Sequence, residues 1–312
     1  MIEIFLKALA YSDGIALAAA GITLIYMATG TFNFAHASKV AWGFYITYAF
    51  LSLLGGSPYY YFLPAALFSA FLGFATYIFV NRYLLKRKAD MVTLMMSTLG
   101  VDLVFFAFLN VFADYLTETF KLSARYFVLE LKDPVLFRIG GAEIKAIPIV
   151  SFILVVLISI GIYLFMTRTN FGIAMRTTIE NPELAQVLGI NPEKIYLAAW
   201  LLGGGLAGLA GAFLSLTISG YPSVGMTILV TLFAGSIVGG LDSVLASILG
   251  GFLIGLVEEL GTYSLSVTLG GWICAYRPVI PMIAMVITLL FYPRGLAAIN
   301  WKGVLGKIGI KI

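Results

Sequence analysis

The sequence predicts an all-α integral membrane protein, a polytopic helical bundle of about eight or nine transmembrane segments with broken helices. Hydrophobic residues make up 61% of the 312 positions and charged residues only 11%, against roughly 25% charged in soluble domains. The mean hydropathy is +1.01, and several apolar runs reach the length of about 20 residues that a bilayer core requires. Strands of alternating polarity, the mark of a membrane barrel, are absent, so the spans are read as helices. The 33 glycines suit close helix packing rather than strands.

Residues 14–30 and 40–54 are the first apolar segments, slightly short, and they flank the polar stretch Thr29–Lys39. Before them Glu3 and Lys7 interrupt any cleavable signal. Residues 61–80 and 91–113 are full spans joined by 81–90, whose Arg82, Lys86, Arg87 and Lys88 mark it as cytoplasmic. Residues 114–146 read as an external loop with charges of both signs, and 147–166 returns the chain to the cytoplasmic loop 168–194. Spans 195–218, 227–239, 243–262 and 275–293 follow, the middle two broken at Gly239–Asp242, before a basic tail with Arg294, Lys302, Lys307 and Lys311. Span parity then puts the N-terminus outside. Gly204/Gly208, Gly235/Gly239 and Gly251/Gly255 have the spacing that lets helices approach closely, read here as packing within one chain. Residues 1–312 form a single transmembrane domain.

Loop 168–194 carries more punctuation than a plain return needs. Asn181-Pro182-Glu183 is an N-cap, a first-turn proline and a first-turn acid, and Gly189 closes a short helix over 182–188. Asn191-Pro192-Glu193 repeats the start signal. The helix displays Leu184, Ala185, Val187 and Leu188, an apolar surface that so short a segment cannot bury by itself. A partner or the lipid headgroups would cover it.

Catalytic chemistry finds little to work with. Gly306-Lys307-Ile308 fails the phosphate-loop pattern, so ATP is not bound by that route. One cysteine, Cys274, and one histidine, His36, exclude a disulfide framework, a His/Cys metal cluster and a hydrolytic triad. Membrane topology accounts for the formal charge of +4, so no nucleic-acid partner is called for. The polar candidates at membrane depth are Asn33 and His36, spaced to share a helix face beside Gly30 and Thr31. They either line a water-filled path at a helix break or hold the fold by hydrogen bonds. Asp102 and Asp242 are further candidates for a cavity, whereas Glu258 and Glu259 read as the solvated end of a span and Arg277 as the external start of the final one.

Several motifs together resemble one family. Thr29-Gly30-Thr31-Phe32-Asn33-Phe34-Ala35-His36 is similar to the Asn-Phe-Ala-His signature of the smaller permease in branched-chain amino-acid ABC importers. Phe171–Arg176, Glu180-Asn181 and Leu188–Asn191 resemble that family's ATPase-docking loop; Gly235–Gly240 and Tyr292–Leu296 fit as well. The family commonly continues its signature with Gly-Glu, whereas here Ala37-Ser38 follow. The resemblance implies a non-catalytic permease in the cell membrane, paired with a second homologous permease, two cytoplasmic ATPases that use the ATP, and an external substrate-binding protein. It implies a cargo of branched-chain or other hydrophobic amino acids, with urea or amide import, or secondary transport, as alternatives. Under it, Gly30, Thr31, Asn33 and His36 fall on the substrate path. Arg176, Glu180, Glu183, Leu184, Leu188 and Gly189 fall on the docking surface. No cofactor is expected in this chain.

Overall fold

The computed structural model describes residues 2–139 and 142–298, so the tail lysines 302, 307 and 311 and the Gly306-Lys307-Ile308 stretch lie outside the described residues. The chain runs through α1 (Ile2–Thr29), α2 (His36–Leu54), α3 (Phe62–Thr76), a π-turn at Tyr77–Asn81, α4 (Arg82–Lys86) and α5 (Met91–Phe120). After the outer hairpin of β1 (Val135–Ile139) and β2 (Ala142–Lys145) come α6 (Ile147–Arg168), α7 (Asn170–Glu180), α8 (Pro182–Val187), α9 (Pro192–Ser215), α10 (Val224–Gly239), α11 (Val244–Leu269) and α12 (Val279–Phe291). Among the described residues six helical runs are long and apolar enough to cross a membrane, and α10 and α12 are shorter apolar helices. With the 19-residue α2 they keep the order read from the sequence.

Several boundaries differ from the sequence reading. The first helix begins at Ile2 rather than near residue 14, and its apolar stretch is the most enclosed among the six long spans. Asp13 is tolerated within it because the Ser151 hydroxyl of α6 donates to its Oδ2 at 2.7 Å. The last span begins at Val279, since Gly270 (φ +102°) and Pro278 confine 271–276 to a 3-10 turn. The external loop starts only after Phe120 and ends in a two-stranded hairpin, a small β addition to an otherwise helical protein.

Ion pairs order the two ends of the bundle. Lys7 reaches Glu130 at 3.1 Å, and Glu3 accepts the backbone N–H of Glu143 at 2.9 Å, which puts the N-terminus beside the external loop. Burial pushes the Glu130 carboxyl up, but Lys145 and Lys7 outweigh it and hold the group below the usual carboxylate range. At the opposite end Glu193 binds Arg82 at 2.9 Å and Lys86 at 2.7 Å, tying the start of α9 to the basic connection. The N-terminus and residues 121–146 thus share one end of the bundle, and residues 82–86 and the start of α9 share the other.

The core is assembled by backbone approach, because lipid offers little hydrophobic drive between helices. A Cβ at Gly43 of α2 would stand 2.3 Å from the carbonyl of Gly208 on α9, and one at Gly204 would stand 2.5 Å from Ser69 O on α3. Gly235 and Gly251 fit α10 to α11, and Gly255 abuts Ser12 of α1. These glycines pack the chain against itself, as their spacing suggests. Gly43→Val should cost upwards of about 3 kcal/mol by overpacking and lower the thermal unfolding midpoint in detergent. Gly161→Ala, where nothing lies within 4 Å, should leave the midpoint unchanged or slightly raised.

Candidate functional site

The polar stretch between α1 and α2 turns back into the bundle. Gly30 ends α1 with φ +65°, a conformation glycine adopts without strain. His36, the first residue of α2, packs against Gly21, where a Cβ would come within 2.7 Å of His36 Cε1. Gly21 lies about two turns before the end of α1, so the chain has climbed back by about 12 Å. The helix α2 thus starts inside the bundle with backbone N–H groups that water does not reach.

His36 and Ala37 N–H turn back to Asn33 O and Phe34 O at 3.2 and 3.3 Å, while the N–H groups of Ser38 and of Phe34, just before the helix, are met from α5. Asp102 accepts from the Ser38 N–H through Oδ1 at 3.3 Å, and its carbonyl accepts the Ser38 hydroxyl at 3.2 Å. One turn earlier Thr98 Oγ1 accepts from Phe34 N–H at 3.1 Å and lies 3.1 Å from Phe32 O. A carboxylate at a helix N-terminus also meets the positive end of the helix dipole. Ser38 stands where the family signature has an acid, and Asp102 brings a carboxylate to the same backbone from another helix. The rings of Phe32 and Phe34 lean on Phe233 at 6.0 and 5.3 Å and close the turn.

Within this frame Asn33 and His36 are fully buried, and neither amide end of Asn33 nor either ring nitrogen of His36 has a hydrogen-bond partner. Thr31 is also buried and points its hydroxyl at Asn81 Oδ1, 3.4 Å away on the π-turn after α3. Gly30 lines a different space. With Tyr26 it faces a cavity of about 530 Å³ at the α7 end of the bundle, together with Arg176 and Glu180 of α7 and Asp242 of the α10–α11 turn. The structure thus brings Arg176, Glu180 and Gly30 together and leaves Asn33 and His36 sealed behind them.

The punctuation of 168–194 is realised residue by residue. Asn181 Oδ1 accepts from Leu184 N–H at 3.0 Å, and Asn191 Oδ1 from Glu193 N–H at 3.0 Å. Gly189 takes φ +81° and lets Ile190 N–H reach back to Ala185 O at 2.9 Å. Ala185 is the buried residue of α8, while Leu184, Val187 and Leu188 are 53%, 83% and 65% exposed. Glu183 is exposed on the same helix. Upstream, Thr169 caps a second helix, α7, which packs Met175 and Thr178 against the bundle. The Thr169-Asn170 start signal for α7 was there to be read in the sequence, but the double Asn-Pro-Glu signal drew the reading to α8.

A family model described as the permease component of the branched-chain amino acid transport system matches residues 4–303. The chain belongs to this family. It is 37% identical to a probable branched-chain amino acid transport permease protein LivH of Methanocaldococcus jannaschii, over 95% of this chain and 92% of that one. It is 27% identical to the permease BraD of a high-affinity branched-chain amino acid transport system in Pseudomonas aeruginosa, over 90% of each chain. It is also similar to LivH of Escherichia coli, at 24% identity over 90% of each. No solved structure matches the chain. The chain is accordingly a multi-pass membrane protein and a permease component.

Several buried polar residues escaped the sequence reading. Lys39 is fully enclosed, its ammonium 4.9 Å from the centroid of the Trp200 ring and without a hydrogen-bond acceptor. The apolar run from residue 40 puts Lys39 in a polar connection, whereas α2 begins at His36 and encloses it; its i+3 spacing from His36 is the signal in the sequence. Asp13 was missed for the same reason at α1. Glu258 is a correction: it is 3% exposed and paired with Arg277, not a solvated end, because the 3-10 turn after α11 folds Arg277 back over it. Asp242 is exposed at the α7-end cavity rather than inside the membrane. Removing the α2 anchor with Asp102→Ala should cost about 2 kcal/mol, the worth of a charge-assisted hydrogen bond, and lower the unfolding midpoint. Asp102→Asn, which keeps an oxygen for Ser38 N–H, should lose clearly less.

Proposed function

We propose that this chain is the membrane permease subunit of an ATP-driven importer of branched-chain or other hydrophobic amino acids. It works beside a second homologous permease, two cytoplasmic ATPases and an external substrate-binding protein. The relatives named above are branched-chain amino acid permeases, and that supports the cargo. The observation that carries the coupling is the exposed apolar face of α8 on the side of the basic connection. Leu184 and Leu188 stand one turn apart on a capped helix, a form suited to a groove on a partner. Glu183 beside them sets orientation.

Motion delivered to α8 passes to α7, whose Arg176 and Glu180 share a cavity with Gly30 at the end of α1. Closing and opening of the ATPases would then displace the turn that seals Asn33 and His36, exposing their free polar atoms to a substrate. Secondary transport is less well supported, since the carboxylates inside the bundle that could couple an ion are engaged, Asp102 with the start of α2 and Asp13 with the Ser151 hydroxyl.

Two outcomes are expected. Leu184→Asp with Leu188→Asp should leave a correctly inserted permease that copurifies poorly with its ATPases. Each buried leucine anchor is worth on the order of 2 kcal/mol, or about thirtyfold in affinity. Normal copurification and transport would remove the docking role. Asn33→Leu with His36→Phe should abolish most leucine uptake into proteoliposomes while the ATPases still copurify. Unchanged uptake would return both side chains to a packing role.

A further inference from the structure

A second concentration of buried charge lies at the outer end of the bundle, away from the α1–α2 turn. Arg277 Nε donates to Glu258 Oε1 at 2.5 Å, and its Nη2 lies 2.6 Å from Glu259 Oε2. The Tyr11 hydroxyl donates to the same Glu258 Oε1 at 3.1 Å, and the guanidinium sits over the Tyr11 ring, 4.4 Å from its centroid. Every contact to Glu258 goes to Oε1. Its Oε2 makes no hydrogen bond, although the residue is only 3% exposed.

The cluster has one arginine for two carboxylates, so a negative charge remains without a counter-ion. A buried surplus charge is costly unless something of opposite sign completes it. Glu258, Arg277 and Tyr11 line a cavity of about 330 Å³, at the small end of the range of roughly 300–1,000 Å³ typical of ligand sites. Its other walls mix apolar and hydroxyl groups. Ile218 and Ile228 supply the apolar part, and the hydroxyls of Tyr221 and Thr227 stand 3.0 Å apart.

We propose that this cavity is an outer receiving site for an aliphatic amino acid, with its ammonium group on Glu258. The ammonium supplies the missing positive charge and the donors that Oε2 lacks. The aliphatic side chain lies against Ile218 and Ile228, and the carboxylate takes a hydrogen bond from the Tyr221 hydroxyl, which turns from Thr227 to meet it while Thr227 Oγ1 keeps donating to Val224 O at 2.8 Å. This inference rests on the amino-acid transport reading above. The site lies on the side of the N-terminus and external loop, where a released substrate would first meet the permease.

The test uses a built-in probe, because Cys274 is the chain's single cysteine, is exposed and lines the same cavity. The assembled transporter, in proteoliposomes without binding protein, is treated with a maleimide, and modification of Cys274 is followed by peptide mass spectrometry. Leucine and its decarboxylated analogue 3-methylbutylamine should both protect. At ten times the half-protecting concentration labelling should slow about tenfold, as single-site occupancy requires. The deaminated analogue 4-methylpentanoate should not protect, and Glu258→Gln should abolish protection by the amine. Unchanged labelling with leucine, or equal protection by 4-methylpentanoate, would overturn the proposal. Because the analogue series uses the unaltered protein, it decides the matter even if the Gln variant fails to assemble. With binding protein added back for the uptake assay, normal leucine uptake beside an unprotected Cys274 would sink this site alone, whereas protection without leucine uptake would sink the transport reading instead.

Discussion

A helix that begins inside a membrane protein must find partners for its first N–H groups, since each unpaired one costs several kcal/mol in hydrocarbon. The arrangement of this permease follows from how α2 meets that demand. Asp102 and Thr98, one turn apart on α5, meet the N–H groups of Ser38 and Phe34. The helix α5 must therefore lie against the turn, and α2 can then run beside α9 at the backbone distance that Gly43 and Gly208 allow. Replacing any of these contacts by ordinary side-chain packing would move the start of α2, and with it Asn33, His36 and Lys39.

The same turn connects the two ends of the machine. Gly30 is the last point of α1 before the chain folds back, and it shares a cavity with Arg176, Glu180 and Asp242. The helix α7 thus lies across one cavity from the end of α1, close to the turn over the buried polar atoms. The seal itself is aromatic, with Phe32 and Phe34 on Phe233. Aromatic contacts of this kind are worth about 0.5–1.5 kcal/mol beyond burial, a small barrier to opening the turn.

Much of this was legible in the sequence where the chemistry is local. The caps Asn181 and Asn191 and the left-handed Gly189 act within a few residues of themselves, and the glycine pairs carry a fixed spacing along one helix, so spacing alone announces them. The family motifs were legible for the same reason. What was not legible depends on burial by distant segments. Lys39 and Asp13 read as flanking polar residues because a charge in an apolar run looks like the edge of a span. Only the Trp200 ring over Lys39 and the Ser151 hydroxyl on Asp13 explain how each is kept inside. Glu258 similarly needed Arg277, folded back by a turn that no periodicity signals. The outer hairpin went unread because its strands are short and form a small sheet of their own.

The central claim is that the turn between α1 and α2 is a gate, sealed in this structure and opened by the cytoplasmic helices. The most direct measurement is a cryo-electron microscopy structure of the assembled transporter with leucine trapped between its two permeases. The account predicts leucine within hydrogen-bond distance of Asn33 or His36, with Phe32 and Phe34 drawn away from Phe233 and Asp102 still holding Ser38. Leucine trapped elsewhere, with the turn as closed as it is here, would contradict it.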